Sequence, residues 1–385
     1  MNPTAVPPLS LYVHLPWCIR KCPYCDFNSH ALRGVLPEVE YLAALLADLA
    51  DEQERAGERP VETVFFGGGT PSLFGADAIG RLLAGLREGG LLAADAEITL
   101  EANPGTIERG SFADYRDAGI NRVSLGVQSF DADRLAALGR IHGPREIWSA
   151  LEELDRAGVD NFNIDLMYGL PGQSVAAAVD DVNSALRAGP AHVSHYQLTL
   201  EPNTLFWHRP PELPGDDEVW EMQDSCEALL SAAGYEHYEV SAYAAPGRRC
   251  GHNVNYWTYG DYLGVGAGAH GKLTVAGRIV RRSKRKHPGA YLVPGCERVQ
   301  EETVVSDKER VFEFMLNASR LSDGFDRRLF ETRTGLDFAA ASPGLGDARG
   351  RGLMEEKAGV WKPTAFGRRF LNDLQAMFLP ETNHD

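Results

Sequence analysis

The chain predicts an α/β fold: parallel βα units forming a closed or an open, partial barrel, with a smaller and mostly helical domain after it. Three observations carry that expectation. Short β-rich runs alternate with amphipathic stretches from Leu9 to Leu200, the pattern of parallel βα units. The pattern changes after Glu201. A length of 385 residues with 44% hydrophobic content suffices for a proper core in about two or three domains.

In order, the runs Leu9 to Leu15, Val61 to Phe66, Glu97 to Ala102, Arg122 to Gln128, Asn161 to Met167 and His192 to Leu200 read as strands. Between them, Tyr41 to Ala56, Asp77 to Leu86, Asp114 to Gly119, Arg145 to Ala157 and Ser174 to Ala188 read as amphipathic helices. In barrels of this kind the chemistry sits on loops at the C-terminal strand ends. Beyond Glu201, a Pro-rich excursion from Arg209 to Pro214 precedes a helix near Glu218 to Ala233 and a strand near His237 to Ala242. A Gly- and aromatic-rich stretch follows, Gly251 to Gly271. From Glu301 a winged-helix-like domain is expected, with helices at Asp307 to Ser319 and Phe325 to Thr334 and a strand turning into a helix after Val360. The expected division is therefore 1–245, 246–300 and 301–385.

Formal charge is −16, which opposes general nucleic-acid binding, because that needs phosphate-neutralising cations. The opening residues Met1 to Pro8 lack the basic-then-apolar build of a signal peptide, and no apolar stretch approaches the length of a membrane span. A cytoplasmic protein is expected, with any membrane association peripheral. One segment breaks the acidic trend: Arg281-Arg-Ser-Lys-Arg-Lys286. It reads either as a solvated loop or hairpin edge, or as an anion site.

The densest chemical signal is Cys18, Cys22 and Cys25 in one loop, Leu15-Pro-Trp-Cys-Ile-Arg-Lys-Cys-Pro-Tyr-Cys25, directly after the first strand. Three closely spaced thiolates suit a [4Fe–4S] cluster with one iron open to an exogenous ligand. Such a cluster also fits a reducing compartment. Structural zinc wants four protein ligands, often as two Cys pairs, and no second pair exists. His14 and His30 leave a Cys3His site open on spacing alone. Cys226, Cys250 and Cys296 are scattered and make a poor disulfide framework. After the second strand comes Gly67-Gly-Gly-Thr-Pro-Ser72. Glycines there permit positive φ and close approach of backbone to a ligand. The Gly-Lys-Ser/Thr ending of a P-loop is missing.

Together, the cysteine loop and the glycine strip resemble the radical S-adenosylmethionine superfamily. The resemblance implies a partial (β/α)6 barrel. It also implies that the methionyl end of S-adenosylmethionine chelates the open iron and that the glycine strip binds its amino group. The finer resemblance covers nearly the whole chain and is to oxygen-independent coproporphyrinogen III oxidases and their relatives, the haem chaperones. Tyr12-Val-His-Leu-Pro-Trp-Cys18, Glu101-Ala-Asn-Pro-Gly105, Arg122-Val-Ser-Leu-Gly-Val-Gln128, Leu138-Gly-Arg140 and Asp165-Leu-Met-Tyr-Gly-Leu-Pro171 look like that family's blocks. By this likeness Tyr12, Gly68, Gly69, Thr70, Glu101, Gln128, Arg140 and Asp165 line the S-adenosylmethionine site. Tyr24 would pack on the adenine, and Thr199 joins the set from the last strand.

Two features separate the relatives. The oxidases carry a further cysteine two positions after the third, where this chain has Phe27. His252-Asn-Val-Asn-Tyr-Trp257 is similar to the His-Asn-x-x-Tyr-Trp signature of the haem chaperones, where the histidine is implicated in haem binding. Neutral imidazole is a good axial ligand, and Tyr256 and Trp257 offer flat apolar faces to a macrocycle. The expectation is thus a haem chaperone whose cofactors are a [4Fe–4S] cluster held by Cys18, Cys22 and Cys25, S-adenosylmethionine, and haem at His252, Asn253, Tyr256 and Trp257. Its expected partners are haem or a porphyrin and acceptor haem proteins, with no nucleic acid; a dimer is compatible with this reading. Coproporphyrinogen III oxidation is the alternative.

Overall fold

The computed structural model describes residues 6–105 and 111–380. Part of the N-terminal segment read for a leader, Met1 to Ala5, lies outside the described residues, as do the last residues of the 301–385 unit. Leu9–Leu15 (β1), Val61–Gly68 (β2), Leu92–Ala102 (β3), Arg122–Gln128 (β4), Phe162–Tyr168 (β5) and His192–Gln197 (β6) pair in that order, all parallel. Helices such as Glu38–Ala56 (α1), Ala76–Glu88 and Val175–Ala188 cross over between them. Their apolar stripes cover the outer face of the sheet: Leu42, Leu45 and Leu49 of α1 and Leu82, Leu83 and Leu86 of the next helix are fully or almost fully buried. The helix Val175–Ala188 begins where the Ser174 side chain accepts from the Ala177 amide and stops at left-handed Gly189. The parallel βα units are those expected from the alternation of strands and helices, and the partial barrel is the one that the resemblance implies.

The sheet extends past both ends of the parallel part. Beyond β6 comes a tight antiparallel hairpin, Glu236–Glu239 (β7) and Ala242–Ala244 (β8), where one strand was expected. Beside β1 the sheet continues with Asp261–Val265 (β9), parallel to β1, then antiparallel His270–Val275 (β10), Arg278–Lys284 (β11) and Val299–Val304 (β12). The full order is β12-β11-β10-β9-β1-β2-β3-β4-β5-β6-β8-β7, a 12-stranded sheet. Residues 246–300 therefore feed into the main sheet.

The C-terminal residues build a second apolar cluster around Phe314, Phe325, Phe330, Leu345 and Leu374, which also takes in Tyr259 and Ile279 from the sheet. Here Phe325–Asp326 is a short strand that precedes the helix Arg327–Thr334, because Phe325 pairs with Trp361 across a small antiparallel sheet. The domain is clamped to the barrel by Arg281 and Tyr259 on Glu313, at 2.8 and 2.6 Å, and by the Ser322 amide on the Tyr238 carbonyl at 3.0 Å. Among the described residues no helix is long and apolar enough to cross a membrane.

Arg281 to Lys284 of the basic run lie on β11, a hairpin strand flanked by β10 and β12, with carboxylates as partners. Arg281 pairs with Glu313, and Arg282 bonds Glu302 and Glu52. Lys284, 2% exposed, puts its ammonium 2.6 Å from Asp48 and 2.7 Å from Glu52 of α1. Asp48 also accepts from the Tyr291 hydroxyl at 2.7 Å and the Gly266 amide at 3.1 Å. Burial alone would raise the Glu52 carboxyl, but Lys284, Arg282 and Arg55 outweigh it and hold the group below its usual range. Removing the ammonium would leave two buried carboxylates poorly compensated. Lys284→Ala should therefore cost about 3–5 kcal/mol in chemical unfolding; a loss below about 1 kcal/mol would show that the cluster is no anchor between α1 and β11.

Candidate functional site

In a strand, alternate side chains share a face. On β1 to β6 the face turned away from the crossover helices is polar. Ser10 lies level with Thr63, Thr63 with Glu97, Glu101 with Ser124, Ser124 with Asn163, and Asn163 with His192. These groups satisfy one another. Thr63 donates to Ser10 at 2.7 Å, and Asn163 donates to Ser124 at 2.7 Å. His192 Nδ1 donates to Asn163 Oδ1 at 2.6 Å, while its Nε2 accepts from the Tyr238 hydroxyl at 2.8 Å. The helix Gly251–Trp257 closes the end where the strands begin, its first amides bonded to Glu97 at 3.1 Å.

At the other end, the cysteine loop leaves β1 and returns through a two-residue pairing of Trp17 and Cys18 with His30 and Ala31. Trp17 is wedged edge-on against Tyr41, ring centres 4.7 Å apart, which ties the loop to α1. Lys21 caps the carbonyls of Phe27 and Ser29 at 3.0 and 3.2 Å. Cys18, Cys22 and Cys25 are free thiols on the rim of one cavity. Burial pushes the Cys18 and Cys25 thiols up. Among the described residues, no three His, Cys, Asp or Glu side chains converge closely enough to hold a metal ion. His14 is spent, its Nδ1 on the Tyr12 hydroxyl and its Nε2 on the Asn28 carbonyl, both at 2.9 Å. That argues against His14 as the fourth ligand of a zinc site; among the described residues His30 lies against His287 with its Nε2 unpartnered, and no Cys3His group converges there.

The glycine strip is shaped by its neighbours. A Cβ on Gly69 would stand 2.5 Å from the Trp17 carbonyl oxygen, and one on Gly68, whose φ is 118°, would strike the His14 ring. The amides of Gly69 and Thr70 donate to Leu15 and Trp17 at 2.9 and 2.8 Å, and the Gly68 amide donates to Glu101 at 3.2 Å. With those donors used, an anion finds none of these three amides free.

Glu101 and Asp165 are both half-buried in the cavity wall. Burial, then the neighbouring Asp165, pushes the Glu101 carboxyl up to about 8. Asp165 is also raised by burial, against hydrogen bonds from Asn163 at 2.7 Å and Ser124 at 3.3 Å. Two carboxyls whose ionised forms burial disfavours would both gain from a cationic guest. Gln128 ends β4 in a left-handed conformation, φ 72°, at a break in register, and its side chain accepts from the Tyr196 hydroxyl at 2.7 Å. Such strain in a residue other than glycine is concentrated at working sites. Arg140 donates to Gly126 O at 2.7 Å and to Asn103, and its Nη1 lies 3.6 Å from the Cys22 sulfur. Its Nε is buried with no hydrogen-bond partner among the described residues.

These groups surround a cavity of about 560 Å³. Its lining includes the three cysteines together with Tyr24, Gly68, Gly69, Thr70, Glu101, Gln128, Arg140, Asp165 and Thr199. Tyr12 does not line it; its ring lies against Gly67 and its hydroxyl on His14. The His-Asn-x-x-Tyr-Trp residues split. Asn253 and Trp257 line the cavity, whereas His252 and Tyr256 do not. His252 is 2% exposed and stacks on Phe65 at 5.0 Å, and its Nδ1 lies 2.8 Å from the Thr63 hydroxyl. Because Thr63 gives its proton to Ser10, it accepts from His252 Nδ1–H, which leaves His252 Nε2 a bare lone pair. That nitrogen is buried with no partner among the described residues. Burial, then Arg122, lowers the ring to about 3, so it is neutral.

Sequence reasoning missed Ser194, Tyr196, Glu239 and Arg320, which also line the cavity. Ser194 and Tyr196 alternate on β6 in register with Asp165 and Met167, and that signal was present in the strand. Glu239 and Arg320 come from the hairpin and the C-terminal domain and have no local signature.

Comparison with known proteins agrees with this architecture. Residues 12–185 match the radical SAM superfamily and residues 305–370 the HemN C-terminal domain. The chain is 50% identical over 377 residues to the heme chaperone HemW of Escherichia coli strain K12, covering 98% of this chain and 99% of that protein. It is 47% identical over 381 residues to HemW of Haemophilus influenzae, with 98% and 99% covered. Against HemW of Bacillus subtilis it is 30% identical over 378 residues, with 97% and 99% covered. The solved structure of coproporphyrinogen III oxidase (HemN) from Escherichia coli shares the fold, with a TM-score of 0.81 at 24% identity, covering 97% of this chain and 90% of that one. Full-length identity to HemW proteins from distant bacteria, on a radical SAM barrel completed by a HemN C-terminal domain, places the chain in the heme chaperone HemW family.

Proposed function

We propose that the chain is a haem chaperone: it binds a [4Fe–4S] cluster, S-adenosylmethionine and haem, and delivers haem to acceptor haem proteins. The observation that carries the haem part is His252, a neutral imidazole whose Nε2 has a bare lone pair and no partner, fixed in that tautomer by Thr63. The ring is buried, so the helix Gly251–Trp257 must shift for a macrocycle to reach it. Cys18, Cys22 and Cys25 would hold the cluster, which supplies one-electron reduction when bound. Glu101 and Asp165 would receive the cationic nucleoside, Tyr24 its adenine, and Arg140 its carboxylate. With the Gly68–Thr70 amides spent, the strip would meet the ligand's ammonium with carbonyl oxygens. Delivery, the acceptor's identity and a cytoplasmic setting belong to the same proposal.

Haem titration should give a Soret band that His252→Ala weakens at least about tenfold in affinity. An unchanged spectrum would remove His252 as the ligand. In parallel, anaerobic incubation with coproporphyrinogen III, reductant and S-adenosylmethionine should yield no protoporphyrinogen; clear turnover would replace the chaperone with the oxidase.

The Glu101 carboxyl supplies a pH test. Its proton is retained in the free protein up to about pH 8, and a sulfonium guest favours the ionised form. S-adenosylmethionine binding should therefore release a proton and tighten as pH rises from about 6 to 9, with Glu101→Gln abolishing the trend. Because the folded value is raised, the unliganded fold should lose stability over the window from the ordinary carboxyl range up to about 8. Calorimetry in buffers of different ionisation enthalpy reads the proton, and pH-independent binding by the unmodified protein would contradict the assignment.

A further inference from the structure

Arg320 is a C-terminal-domain residue in the wall of the barrel cavity. Its guanidinium lies 4.3 Å from the centre of the Trp257 ring. Nε and Nη2 both bond Glu239 Oε2, at 3.2 and 2.9 Å. Glu239 is 3% exposed, and its other oxygen accepts from the Ser241 amide at 3.1 Å. The three residues that follow the arginine are stitched down: Leu321 bridges to Glu239, Ser322 bonds the Tyr238 carbonyl, and Asp323 pairs with Arg249. The arginine is thus held rigidly, with part of its donor fork already committed.

What remains at this end of the cavity is donors. Arg320 Nη1 has no hydrogen bond among the described residues, although it is not sealed from solvent. Trp257 Nε1 is buried and also has no partner among them. The bonds that Glu239 accepts come from Arg320 Nε and Nη2 and the Ser241 amide, not from Nη1 or Trp257 Nε1. A guest that satisfied this corner would have to bring an acceptor, and a guanidinium selects an anionic one, above all a carboxylate. Elsewhere in the cavity the buried side of the wall is acidic, with the raised carboxyls of Glu101 and Asp165. The one cavity therefore offers carboxyls at Glu101 and Asp165 and, apart from Arg140 beside Cys22, a second guanidinium with a free donor at Arg320.

We infer that Arg320, together with Trp257 Nε1, is a carboxylate-recognising subsite that engages a propionate of the bound tetrapyrrole. This rests on the haem reading above. Arg320 is anchored to Glu239 and lies outside the Gly251–Trp257 helix, so it fixes one edge of the macrocycle while that helix, which carries Trp257, presents its histidine. A charge-assisted bond made in a partly enclosed site corresponds to about tenfold in affinity.

The test compares haem with haem dimethyl ester, whose propionates are capped, both delivered from the same detergent buffer to the full chain. The unmodified protein should bind the diacid about tenfold more tightly than the diester. Arg320→Gln should erase that preference while leaving diester affinity unchanged, and Arg320→Lys should restore part of it. Equal affinity for diacid and diester in the unmodified protein would overturn the inference without recourse to any variant, so a poorly folding Arg320→Gln leaves it falsifiable. No Soret band with either ligand would instead remove the haem reading itself. S-adenosylmethionine affinity should be the same in Arg320→Gln as in the parent; a comparable loss there would reassign the arginine to the methionyl carboxylate and refute the propionate role.

Discussion

The structure depends on burying a polar sheet face. Strands β1 to β6 turn serine, threonine, asparagine, histidine and acidic side chains inward, and buried polar groups are costly unless each finds a partner. Ser10, Thr63 and His252 form one satisfied chain, and Ser124, Asn163, His192 and Tyr238 another. The Gly251–Trp257 helix is drawn into the barrel because Glu97 takes its first amides. The C-terminal domain closes over the side where Tyr238 and Glu239 lie. Among the groups left without a partner, Arg140 Nε and Trp257 Nε1 belong to cavity-lining residues, and His252 Nε2 to the helix that carries Trp257.

Parallel pairing then decides what meets what. Every parallel strand ends on the same side, so the loop after β1 and the strip after β2 arrive together, with Glu101, Gln128 and Asp165 near the ends of the next strands. The cysteine loop and the glycine strip are mutually fitted, since the Thr70 and Gly69 amides lock onto the base of the loop. A side chain at Gly69 would break that fit before any ligand was involved.

Most of the barrel was legible because its strands and helices carry local periodicity. The bounds of β1 and β4 coincide with the runs read from sequence, and the crossover helices differ by a few residues. Long-range pairing was not legible. Nothing near Asp261 announces that it will lie beside Leu9, and nothing in Arg281 to Lys286 announces two acidic partners on α1. Asp48 and Glu52 look like an ordinary solvated helix face until Lys284 arrives. The cysteine loop was legible from spacing. The division of the His252 motif between cavity and barrel interior was not, because neighbouring residues of a helix face different directions and the sequence alone does not say which direction is the cavity. Arg320 was invisible for the same reason as β9: its partners are distant in the chain.

On this reading the three rim thiols would hold a cluster whose open iron faces the cavity. Anaerobic reconstitution measures it directly. The protein should take up about four iron and four sulfide per chain, give a cubane-type paramagnetic signal on reduction, and show that signal altered by S-adenosylmethionine. Protein that retains zinc, refuses iron and sulfide, or gives a signal indifferent to S-adenosylmethionine would contradict it.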